Sequence, residues 1–287
     1  MDEAKIDNPA AGEGRGAHEN HGAREAHLAA HLRPLVVKIG SSTLTTSESK
    51  IDYAFLDDVA RQVTRVREAG FSPIIVTSAA IACGLEALGI ERRPTDMPSL
   101  QAAASVGQSA LSAGYARAFA QHGITTSLVL LTRRDTADRT AYLHARDTLS
   151  RLLEMGVVPI VNENDTVSVE QIRFGDNDTL AALVACLVEA ELMVVLSDID
   201  GLYDANPTKV KGAHLIERVE RIDESIMGVA GDAGSVVGSG GMITKIKAAR
   251  VLMAAGIPMT ICLGHAPDAI VHAAFGERIG TRFAASE

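Results

Sequence analysis

Short runs of Val, Ile and Leu alternate along this chain with stretches whose apolar residues recur at helical spacing. Nothing else in the sequence constrains the fold as strongly. Apolar runs at 35–39, 73–78, 126–131, 157–161, 192–197 and 258–263 predict strands, with a last one near 281–283. Between the first two, Phe55, Leu56, Val59, Val63 and Val66 fall on one face of a helix over 53–69, and Gly70 supplies its stop. Further helices are predicted at 99–120, 141–155, 178–190 and 241–255. Such alternation builds an α/β fold with a mainly parallel central sheet sandwiched by helices. Ligands gather at the carboxyl ends of the strands in sheets of this kind. Segments 40–43, 78–80, 162–165 and 197–201 each follow a predicted strand directly, and they hold the polar residues of interest.

Composition narrows the function. Of 287 residues 47% are hydrophobic, enough for a large core, which excludes whole-chain disorder. Aromatics make up only 3% and Trp is absent, so the chain offers no stacking platform for single-stranded nucleic acid. The net charge of −9 repels a phosphate backbone, and the sequence shows no local basic patch to offset it; no nucleic-acid partner is expected. The longest apolar runs are too short to span a bilayer, so no membrane role is expected. Cys83, Cys186 and Cys262 form neither a CxxC pair nor a disulfide framework, which points to a reducing, cytoplasmic setting. Residues 1–33 carry scattered Gly, both signs of charge and four His without fixed ligand spacing, and read as a disordered polar leader. Residues 34–287 form the folded domain.

No Walker P-loop, GxGxxG, HExxH or GxSxG is present. Lys38 instead lies inside an apolar strand, where an ammonium is costly unless it meets an anion or snorkels from a sheet edge. Gly40, Ser41 and Ser42 follow it as a turn able to offer backbone N–H groups to phosphate. A second glycine-rich segment, Gly238 to Lys245, opens a helix, and a lysine at that end is explained by a bound anion. Asn162-Glu-Asn-Asp165 and Gly175-Asp-Asn-Asp178 flank a predicted hairpin at 167–174; turn and cap chemistry accounts for one such cluster, while two suggest a site for a cation or an ammonium group. Asp198 and Asp200 follow another strand and fit either a tight acidic turn or an indirect contact to Mg²⁺.

Together these segments resemble the amino-acid kinase family over about residues 35–283. The lysine strand Val36-Val-Lys-Ile-Gly-Ser-Ser42 and the Gly238–Lys245 loop are general to that family. Asn-Glu-Asn-Asp with Gly-Asp-Asn-Asp resembles its glutamate-phosphorylating branch, in a form without the C-terminal PUA domain. The resemblance implies ATP-dependent phosphorylation of the γ-carboxylate of L-glutamate, the first step of proline biosynthesis. It implies ATP and Mg²⁺ as cofactors, proline as feedback inhibitor and a homo-oligomer. By the same resemblance Lys38 and Lys245 flank the transferring phosphoryl group and Asp178 orients them. Ser78, Asp165 and Asn177 bind glutamate. Lys38, Ser197, Asp198, Ser239, Gly240, Gly241, Met242, Ile243, Thr244 and Lys245 hold ATP.

Three positions depart from the family pattern. Ala79 stands where glycine is usual, Leu100 replaces a lysine and His144 an asparagine. If position 79 requires positive φ, Ala costs about 1 kcal/mol or more there. A paralogous kinase for a related carboxylate, or a non-catalytic amino-acid sensor, are the competing readings. A sensor has no need of both lysines, yet both are present.

Overall fold

The computed structural model describes residues 32–48, 50–168, 177–232 and 241–285. An eight-stranded sheet runs through them in the order β3-β4-β2-β1-β5-β7-β8-β6. Its strands are β1 (Pro34–Ile39), β2 (Ser72–Val76), β3 (Thr126–Leu131), β4 (Val158–Glu163), β5 (Leu192–Ser197), β6 (Arg218–Val219), β7 (Met259–Leu263) and β8 (Thr281–Phe283). All neighbours are parallel except β7 and β8, which run antiparallel. The helices are α1 (Ser41–Leu44), α2 (Tyr53–Glu68), α3 (Ala80–Ala87), α4 (Met97–Ala120), α5 (Arg133–Ala137), α6 (Arg139–Glu154), α7 (Asn177–Leu187), α8 (Glu224–Asp232), α9 (Met242–Ala254) and α10 (Ala269–Ala274). No helix among the described residues is long and apolar enough to cross a membrane.

Strand β1 lies inside the sheet between β2 and β5, and all six of its residues are buried. Covered on both faces, it reads as a continuous apolar run. Leu35, Val37 and Ile39 enter one core with Phe55, Leu56, Leu111, Tyr115 and Phe119. Burying each large side chain of this kind is worth roughly 1.5–3 kcal/mol. Alternation sends Val36 and Lys38 to the opposite face, where α7 packs. Lys38 is therefore no edge-strand lysine reaching for water.

Local chemistry fixes the helix starts. Asp52 caps α2 through the Phe55 N–H (3.0 Å), and Asp96 caps α4 through the Ser99 N–H (2.9 Å). Helix α3 lacked a periodic signal because it is made of small residues packed backbone to backbone on α4. A Cβ added at Gly84 would lie 1.7 Å from the Ala103 carbonyl oxygen, and one at Gly107 would lie 1.8 Å from that of Ala80. Arg33, just before β1, docks on the fold: its guanidinium lies 4.1 Å from the centre of the Phe71 ring, with Nε 3.0 Å from Glu191.

Candidate active site

The carboxyl ends of β1, β2, β4 and β5 open on one side of the sheet, and helix α7 delivers two polar residues to them. Asn177 and Asp178 occupy the first turn of α7 and are buried. A carboxylate is favoured at that end of a helix by the unsatisfied N–H groups. Asp178 is also the hub of an ionic triad. Lys38 Nζ lies 2.7 Å from Asp178 Oδ1, and Lys245 Nζ lies 3.5 Å from Oδ2. All three side chains are buried, with Lys38 and Lys245 each 5% exposed and Asp178 0%. Burial by itself would push the Asp178 carboxyl up, but Lys38 and then Lys245 outweigh it and hold the group at about 2. Burial draws the Lys245 ammonium below its ordinary range, and Asp178 opposes that shift. One carboxylate between two ammonium groups leaves a net positive centre in a low-dielectric setting, which is what a transferring phosphoryl group needs.

Lys245 comes from α9, whose N-cap is Gly241 with no side-chain cap. The first N–H groups of α9 are thus available to an anion. Next to Lys245, the Thr244 hydroxyl lies 2.6 Å from Asp178 Oδ2 and 2.8 Å from the Gly241 carbonyl. It has one proton for two acceptors, and the charge-assisted bond to the carboxylate is the stronger. Thr244 belongs to the sequence-derived nucleotide loop, but its bond to Asp178 was not legible there. Met242 is buried, while Ile243 is half-buried. Ser239 and Gly240, predicted in the same loop, lie outside the described residues, as does most of the predicted 167–174 hairpin.

Asn177 organises the other half of the site. Its Nδ2 donates to Ser78 Oγ (2.8 Å) and to Asn162 Oδ1 (3.0 Å), and also to the Thr77 carbonyl. Asn162 Nδ2 in turn donates to Gln108 Oε1 (2.8 Å), and Thr77 Oγ lies 2.8 Å from the hydroxyl of fully buried Tyr115. Ser78 and Asn177 are therefore brought together. Sequence reasoning gave no role to Gln108, Thr77 and Tyr115, whose support of these residues comes from α4 and the end of β2 and depends on tertiary contacts.

Asp165 lies two residues past β4, beside the end of β2, since Val76 and Val161 are register partners. It is buried, and its Oδ1 has no hydrogen-bond partner among the described residues. Burial, and secondarily the charge of Glu163, push its carboxyl up to about 7, against a smaller opposing pull from Arg93. A buried acceptor left open in this way suits an incoming ammonium. Ser197 ends β5 and is buried, with Oγ donating to Asp198 Oδ1 (3.1 Å). Asp200 accepts from the Tyr203 hydroxyl (2.9 Å), the tight-turn alternative for that segment. Ala79 is an N-cap in the left-handed region, φ 74° and ψ 8°. Position 79 does demand positive φ, the condition set for a strained alanine.

Residues 33–262 match the amino acid kinase family. The chain belongs to that family. It is 49% identical over 251 residues to "Glutamate 5-kinase" of Azoarcus sp. (strain BH72), covering 88% of this chain and 68% of that protein. It is 45% identical over 254 residues to "Glutamate 5-kinase 2" of Bacillus subtilis (strain 168), with the same coverage of 88% and 68%. Among solved structures, an isopentenyl phosphate kinase superposes with a TM-score of 0.57 at 19% identity, covering 88% of this chain and 100% of that one. That last likeness speaks for the fold alone. The amino acid kinase fold places Lys38, Asp178 and Lys245 at the strand ends where ligands bind in open α/β sheets.

Proposed function

We propose that this protein transfers the γ-phosphoryl group of ATP to the γ-carboxylate of L-glutamate, giving L-glutamyl 5-phosphate, the first step of proline biosynthesis. The observation that carries this reading is the buried Lys38–Asp178–Lys245 triad, in a chain 49% identical to a glutamate 5-kinase.

The acceptor carboxylate is already ionised at neutral pH, so the transfer needs no general base. It needs the attacking oxygen in line with the leaving oxygen, and positive charge against the mutual repulsion of two anions. Lys38 and Lys245 supply the charge from two sides, and Asp178 holds both without neutralising the pair. The uncapped start of α9 receives the phosphates, with Ser197 and Asp198 beside them. On the other side Asn177 and Ser78 present polar groups to glutamate, and Asp165 takes its α-ammonium. That pairing also selects against amino acids whose nitrogen is acylated.

No group of three ligating side chains converges for a metal among the described residues, and Asp178 is committed to the lysines. Mg²⁺ fits this site as a companion of the ATP phosphates rather than as a protein-caged ion. Its chemistry there is neutralisation of phosphate charge. We further place the protein in the cytoplasm as a homo-oligomer, with residues 34–287 as the catalytic domain and proline as a competing ligand of the glutamate site.

The test is a hydroxamate assay for acyl phosphate, run with ATP, Mg²⁺ and a panel of acidic amino acids. Product with glutamate well above every other acceptor is expected. Preference for another carboxylate would move the protein to a paralogous activity, and no acyl phosphate from any acceptor would refute a kinase.

A further inference from the structure

The far pole of the sheet carries a second charged cleft, unrelated to the triad. Pro258 precedes β7 and Ala284 follows β8, and Phe283 pairs with Met259. This is the amino end of β7, opposite the strand ends that hold Lys38. A cleft of about 780 Å³ opens there, lined by Arg218, Arg221, Arg250 and Arg282 with one acid, Glu220. Its volume falls within the range of small-molecule sites.

Three observations point to an anion. First, four arginines against one glutamate give the lining a net charge of +3, in a chain whose net charge is −9. Second, Arg218 and Arg282 are register partners on adjacent strands, so their side chains leave the same face of the sheet. Like charges directly opposite destabilise a strand pair. Glu220 engages Arg218, which leaves Arg282 uncompensated. Third, the side chains of Arg221, Arg250 and Arg282 make no hydrogen bond or ion pair among the described residues, although Arg282 is half-buried. The C-terminal carbonyls of α9 attract a cation, but Arg250 stands before the last turn of that helix, so the dipole explains none of the three arginines. The sequence showed no basic patch because these arginines come from three separate segments: β6 and its exit, α9, and β8.

We infer that this cleft is a second binding site, distinct from the kinase centre, for a small anion bearing two or more phosphate or carboxylate groups. Guanidinium groups grip such groups bidentately, and more than one is needed to engage three free arginines. Met253 and Pro258 supply an apolar wall for the body of the ligand.

The test is calorimetric titration of the full chain, without ATP or Mg²⁺, using tripolyphosphate in one arm and citrate in the other. Saturable binding by at least one probe at a site additional to the start of α9 is expected, and the arm that binds there tells phosphate from carboxylate ligands. In the Arg250→Ala/Arg282→Ala protein that binding should weaken by about tenfold or more. It should persist in Lys245→Ala, which removes charge only from the triad. Arg221→Ala, at an exposed position, serves as an independent variant should the double change not fold. No binding of either probe at millimolar concentration would overturn the inference. So would binding lost with Lys245 or indifferent to the arginines.

Discussion

Lys38 and Asp178 meet at 2.7 Å in the middle of the sheet, one from a central strand and the other from the first turn of α7. Each removes the other's burial cost. An ammonium or a carboxylate alone at this depth would neutralise or destabilise the fold. The second oxygen of Asp178 remains for Lys245 and Thr244, so the strand, α7 and α9 are tied at one carboxylate.

Lys245→Ala is expected to abolish turnover while leaving the protein folded. Asp178 keeps Lys38, so no charge is stranded, and the loss falls on charge aimed at the transferring group. Steady-state kinetics with a circular-dichroism melt checks this. Turnover within about threefold of the unmodified protein would remove Lys245 from the mechanism.

Asp178→Asn strands two buried lysines and is expected to cost about 3 kcal/mol of stability, within the range for breaking a buried pair. The sign of its pH dependence follows. A buried ammonium without its partner has a depressed folded pKa, so the folded state binds fewer protons than the unfolded one. Stability of the variant then rises with pH more steeply than the parent's, in which Asp178 still opposes the downward shift of Lys245. Urea unfolding at pH 7 and at pH 9 reads both effects.

Asp165 has the opposite behaviour. Its folded pKa, about 7, lies above the ordinary carboxylate value, so the ligand-free protein holds a proton that the unfolded chain releases. That contribution to stability is complete below about pH 4 and is lost as pH rises toward 7. Asp165→Asn should flatten this slope in a pH series of melts. In the proposed pairing glutamate meets the ionised form, so glutamate KM should fall as pH rises to about 7 and level off above it. The variant should weaken glutamate and proline together by about 10- to 150-fold, with little change in ATP KM. A tenfold rise in glutamate KM with proline inhibition unchanged would mean separate sites.

Ala79→Gly relieves a side chain held at φ 74°. The expected gain is about 1 kcal/mol, the left-handed penalty of alanine less the extra entropy of unfolded glycine. Guanidinium unfolding measures it, and an unchanged or lower midpoint would show that neighbouring contacts already compensate the strain.

The sequence by itself determined the order of the longer strands and helices and the two lysine segments. The predicted strands 126–131, 192–197 and 281–283 coincide with β3, β5 and β8, and the fully buried β5 is written in consecutive aliphatic residues. It also placed the polar residues at strand ends, since turn chemistry is local. Short elements without periodicity, such as α3, α8, α10 and the two-residue β6, left no such trace. Only the tertiary structure decided which charges share a partner. Asp178 meets Lys38 and Lys245 because the crossovers carry β1 to the centre of the sheet and bring α7 and α9 to one face of it. The elevated pKa of Asp165, the support of Asn177 by Asn162 and Gln108, and the four arginines of the far cleft share this origin. Each depends on neighbours distant in sequence and on the exclusion of water, and neither is encoded in local spacing.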